Sequence, residues 1–174
     1  MRKHGGMRPH DIAILLKIVV LGSQNWRMTD LASTLHMSQS EISESLNRCM
    51  IARLIDESKR IVYRKALLEF LMHGVKYVFP AQPGALVRGM PTAHSALPLS
   101  AIIISEKDVY VWPWERGSLR GQGIEPLYKN VPLAAQADES FHEMLALVDA
   151  LRVGRAREQA IAEKELSQRI NNGY

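Results

Sequence analysis

Five residues in the stretch MTDLASTLHMSQSEISESLNR, Met28 to Arg48, carry side chains suited to reading nucleic acid: Gln39, Ser40, Ser43, Glu44 and Asn47. Their spacing puts all five on one flank of a helix, because residues three and four apart are neighbours on a helical surface. Gln and Asn can bond an adenine edge in two places, Glu accepts from cytosine N4, and Ser meets a base edge or a phosphate. Lys and Glu would wet that flank as well and favour the helix more. Short polar side chains instead let a helix sit deep in a major groove about 12 Å wide. The chemistry this points to is base recognition.

Such a flank needs a scaffold, and the apolar residues supply its outline. Pro9 suits a first helical turn, and Ile12, Leu15, Leu16, Val19 and Val20 recur on one face until Gly22-Ser23 ends the pattern. Leu31, Ala32 and Leu35 mark a second, shorter helix, and Ile42, Leu46, Cys49 and Met50 mark a third. Ser38 and Glu41 have the S-x-x-E spacing of a capping box, so a new helix starts there. Two helices joined by a three- or four-residue turn form a helix-turn-helix. "LIDESKRIVY" then reads as a very small hairpin around Asp56 to Lys59. Phosphate contacts are expected from Arg27, Ser38, Arg48, Lys59, Arg60 and Arg64, with Arg2, Lys3 and Arg8 as a basic arm.

At these residues the chain resembles the winged helix-turn-helix transcriptional regulators of the multiple-antibiotic-resistance-regulator and arsenic-repressor types, over roughly residues 8–64. The resemblance rests on Leu31-Ala32…Leu35, on Ser38 opening the recognition helix, and on Ile42, Ser43 and Leu46 within it. It implies sequence-specific binding of double-stranded DNA, usually as a dimer on a near-palindromic site. The family commonly has Gly at the turn, where this chain has His36, and Gly before the first wing strand, where it has Arg53. Its wing strands are usually longer.

The remainder reads as a second region. Helical spacing over "RKALLEFLMH" leads to Gly74, with Tyr77-Val78-Phe79 read as extended. Pro80 to Pro98, rich in Pro and Gly, reads as a loop. Ala101–Ser105 and Val109–Trp112 read as a hairpin around Glu106-Lys107-Asp108. Asp138 is placed to cap a helix with Phe141, Leu145, Val148 and Leu151 on its apolar face, Gly154 breaks it, and Arg155 to Asn171 forms the last helix. Those two helices are candidates for pairing subunits. Arg88, His94, Trp112, Trp114 and Arg116 are candidates for an effector or partner site, since Trp and Arg favour pockets and interfaces. The expected architecture is α+β: residues 1–79 a winged helix-turn-helix DNA-binding domain, residues 80–174 an α+β region for dimerisation and for an effector or partner.

Charge supports the division. Residues 1–65 hold 11 Lys/Arg against 6 Asp/Glu, residues 66–151 hold 6 against 9, and the chain carries +4 overall. A basic amino-terminal third suits a polyanion. No apolar run approaches the roughly 18 residues of a membrane span. The start, MRKHGGMRPHD, lacks an apolar signal core, and Cys49 is the single cysteine, so a cytoplasmic home is expected. The six histidines lack metal-ligand spacing, and no G-x-S-x-G, P-loop or G-x-G-x-x-G is present. The reading is therefore non-enzymatic, with no cofactor. It is a homodimeric transcriptional regulator, a repressor because repression needs only occupancy. The alternative is a protein-interaction module, such as an autoregulating antitoxin whose C-terminal half neutralises a partner protein.

Overall fold

Helix α1 (Pro9–Leu21) starts where the sequence places it, with Pro9 in its first turn. The Asp11 carboxylate accepts the Arg8 N–H (2.8 Å), and the helix stops at Gly22, whose φ of 59° suits glycine. The structure, a computed structural model, describes residues 5–104 and 108–173. The periodicity of α1 suggests one buried face, yet residues 11–19 are all buried. Helices α2 (Met28–Leu35) and α3 (Gln39–Ile51) pack on one side of it and α7 (Glu139–Val153) on another, leaving no side for water.

Between α2 and α3 lie His36, Met37 and Ser38. The Ser38 hydroxyl accepts the Glu41 N–H (3.2 Å) and the Glu41 carboxylate accepts the Ser38 N–H (2.9 Å), a complete capping box. After α3, Ile55 and Val62 form a single antiparallel bridge around a turn that Asp56 ties by accepting the Arg60 and Ile61 N–H groups (2.8 Å each). Those bonds, the one from Ile61 foremost, hold the Asp56 carboxyl at about 2.

His36 and Arg53 both have positive φ, 53° and 57°. These are the two positions where glycine is common in the family the sequence resembles. A left-handed conformation costs an L-residue roughly 1–2 kcal/mol, partly offset by the greater chain entropy of glycine when unfolded. His36→Gly and Arg53→Gly are each expected to raise stability by about 0.5–1 kcal/mol, read as a higher urea midpoint. A lowered midpoint would show that the side chains contribute more than the strain removes.

Helix α4 (Arg64–His73) follows, then a short α5 (Val75–Val78). The latter replaces the extended segment expected at Tyr77–Phe79: Val75 is buried, and the Val78 and Phe79 N–H groups bond the Gly74 and Val75 carbonyls. Pro80–Pro98 is likewise more ordered than its composition suggests, since it holds β1 (Leu86–Pro91). β1 runs antiparallel to both β2 (Tyr110–Pro113) and β3 (Leu119–Gly123), changing partner at Gly89, and β2 and β3 close the ring by parallel pairing. A Cβ on Gly89 would lie 2.0 Å from the Trp112 carbonyl oxygen, so the closure needs glycine there. The first arm of the expected hairpin does not form: Leu99–Ala101 is a 3-10 turn and Ile102–Ile104 pair with no strand. Glu106 and Lys107 lie outside the described residues.

Helices α6 (Val131–Gln136), α7 and α8 (Ala156–Asn172) complete the chain. Asp138 caps α7 by accepting the Phe141 N–H (3.0 Å), and Gly154 ends it. Phe141 and every residue from Met144 to Leu151 are buried within the chain, so α7 is the central strut, with Glu139 exposed and Ser140, His142 and Glu143 half-buried in its first turns. One continuous apolar core runs from Ile12 to Ile170, across the boundary expected at 79/80. Among the described residues no helix is long and apolar enough to cross a membrane.

Candidate nucleic-acid interface

Helix α3 divides cleanly. Ile42, Ser45, Leu46, Arg48 and Cys49 face inward. Gln39, Ser40, Glu44 and Asn47 are exposed and Ser43 is half-buried, so the five candidate base-reading residues share one outward flank. None of them has a hydrogen bond from its side chain to another described residue.

The angle at which α3 presents that flank is set by a buried carboxylate. Asp11 is 0% exposed. It accepts from Ser45 Oγ (2.6 Å), from Arg48 Nε (2.9 Å) and from Arg48 Nη2 (2.7 Å). Arg48 is therefore not a phosphate contact: its guanidinium is buried on Asp11, and hydrogen bonding there raises its pKa further. Its partner lies 37 residues earlier, beyond anything helical spacing reveals. Burial raises the pKa of the neighbouring Cys49 thiol to about 12, so it stays protonated.

His10 completes this cluster. Its Nε2 is 3.0 Å from Arg48 Nη2, and a guanidinium can only donate, so Nε2 is unprotonated. Burial foremost, with the Arg48 charge adding to it, lowers the His10 pKa below 6.5. The unfolded chain then binds the extra proton first as pH falls through 6.5, so His10 removes stability on acidification in that window and nothing above it. Unfolding free energy measured from pH 7.5 to 5 should fall, and His10→Gln should flatten the upper part of that fall. Asp56 and Glu41, whose pKa values are also lowered, act only in the carboxylate range below that window. An identical profile in the variant would contradict this.

The other phosphate candidates separate. Arg27 is exposed at the start of α2, and Lys59 is half-exposed at φ 60° in the turn after Ile55. Arg60 is exposed but lies over the Trp26 ring, 4.2 Å from its centroid, with its Nη1 donating to the Trp26 carbonyl (2.5 Å). The Ser38 hydroxyl is occupied, accepting from Glu41 N–H and donating to its carboxylate (2.8 Å). Arg64 is not available either: it donates to the Ile170 and Asn171 carbonyls (2.8 and 3.2 Å), capping the end of α8. Arg8 before α1 and Arg53 after α3 are exposed as well. Arg2 and Lys3 lie outside the described residues.

The proposed effector set does not converge. Trp112 is buried, its indole N–H donating to Asp149 (2.6 Å), which also accepts from Thr92 (2.8 Å) and pairs with Arg152 (2.7 Å). His94 is buried with its Nε2 on the Asp108 carbonyl. Arg88 and Arg116 are exposed and Trp114 is half-buried. Only Trp112 joins Asp149 in the core, His94 is buried elsewhere on Asp108, and the two arginines are exposed. A cleft of about 250 Å³ between Leu97 and Glu139 contains none of the five. Asp11 and Asp149 are the buried hydrogen-bonding hubs that sequence reading missed. Asp11 in a first turn looks like an ordinary match to the helix dipole, and Asp149 is visible only as an acid within the apolar run from Met144 to Leu151. The chain matches no family model, no characterised protein and no solved structure.

Proposed function

We propose that this protein is a sequence-specific DNA-binding transcriptional regulator, a homodimeric repressor whose α3 enters the major groove as the recognition helix of a winged helix-turn-helix. The observation that carries the reading is the outward flank of α3: amide, hydroxyl and carboxylate groups, exposed and unbonded to the described remainder of the chain, on a helix anchored from behind by Asp11. Arg8, Arg27, Arg53, Lys59 and Arg60 supply the positive rim for phosphates. The bridge Ile55–Val62 serves as a minimal wing.

Because the apolar face of α7 is committed to the core, the subunit contact falls to other surfaces. The second reading, a protein-interaction module, is favoured by Tyr77 and Val78, adjacent on α5 and 73% and 53% exposed. The two are separated by duplex binding at low salt. A retarded duplex, outcompeted more readily by its own sequence than by random DNA, supports the regulator. No retardation at any duplex sequence hands the chain to the second reading.

A further inference from the structure

Asparagine is among the favoured helix caps, yet Asn130, at the start of α6, makes no side-chain hydrogen bond to its own helix. Its Nδ2 donates instead to the carbonyl of His36, 94 residues earlier and 2.8 Å away. A carbonyl can only accept, so the amide orientation is fixed by chemistry. His36 is the left-handed residue of the turn that launches α3. The same corner grips the amino-terminal helices a second time: α6 packs on α2, and Asp138 at its far end holds the buried Lys17 of α1 (2.6 Å). Asn130 thus forgoes capping its own helix in order to hold that turn.

We infer that Asn130 is a positioning residue for the reading helix: the α6 corner fixes the turn, and with it the direction from which Gln39, Ser40 and Asn47 meet a duplex. The inference rests on the DNA-binding reading. It makes residues of the C-terminal half part of the recognition apparatus without touching a base.

Two substitutions test it. Asn130→Ala removes the donor. Asn130→Asp keeps the shape and remains a good cap for α6, but turns an acceptor toward the His36 carbonyl. The thermal midpoint is expected to stay within about 2 °C of wild type in both, as for a surface change. Exchange of the Met37 amide, bonded to Ala32 across the turn, should accelerate about 3–10-fold, the range of one ordinary hydrogen bond. The ratio of affinities for a selected site and a random duplex should fall by a similar factor. Taking a ratio cancels the general repulsion that Asp adds. Unchanged exchange overturns the inference, as does an unchanged ratio. A ratio that falls only in step with a falling midpoint overturns it too, since that marks a merely structural role. A wild type that prefers no duplex removes the DNA reading and this inference together. A selective wild type whose preference survives both substitutions removes only the inference.

Discussion

Replacing Asp11 with alanine is expected to cost about 3–5 kcal/mol of folding stability, the loss typical of stranding one member of a buried ion pair. The carboxylate is wholly buried and takes four donors: the Arg8 N–H, the Ser45 hydroxyl and two N–H groups of Arg48. Its removal leaves the guanidinium of Arg48, a residue only 8% exposed, without that anion. Since domains of this size hold only about 5–15 kcal/mol, a loss of this size brings the fold close to its limit. Urea unfolding measures it. The double substitution Asp11→Leu, Arg48→Met should recover a large part, because an apolar pair of similar volume removes the stranded charge along with the bridge. A double variant no better than Asp11→Ala alone would show that Ser45 and the Arg8 N–H, not Arg48, depend on the carboxylate.

The second large effect concerns recognition and leaves the fold alone. Asn47→Ala is expected to weaken binding to a selected site by about 1–3 kcal/mol, or roughly 5- to 150-fold, the usual worth of a bidentate base contact. Affinity for random duplex should change little, and stability should stay within about 0.5 kcal/mol because Asn47 is exposed and its side chain bonds no other described residue. Fluorescence anisotropy on both duplexes gives the two numbers. Equal losses on both would move Asn47 from the bases to the backbone.

Much of the helical frame is legible in local signals, for a local reason. Ser38 with Glu41, Pro9, Gly22, Asp138 and Gly154 act within one turn of themselves, so their types and spacing carry the whole effect. The outward flank of α3 follows from the same logic, since Ile42, Leu46 and Cys49 choose the inward side. Of the β ring only β2 is legible, in the run Val109–Trp112; β1 is hidden because Gly89, which reads as a loop residue, is what lets the strand pass close to Trp112. Arg48 and Arg64 illustrate a second limit. Each looks like a free surface cation until a partner 37 or 106 residues away claims it. The effector set failed in the same way, with Trp112 drawn into the core by Asp149.

The two left-handed residues show the two views meeting. At the turn and before the expected wing the chain lacks the glycines common in the family it resembles. His36 and Arg53 instead adopt the glycine-like conformation and bear its strain. Asn130, holding the His36 carbonyl, is one of the contacts that keeps this turn in place.

The central claim is that the exposed flank of α3 reads DNA sequence, and selection of bound sites from a pool of random duplexes tests it most directly. Enrichment of one motif repeated about a two-fold axis, with half-sites roughly 10–10.5 base pairs apart, is the predicted result. A folded protein that leaves the pool as random as it began would contradict it.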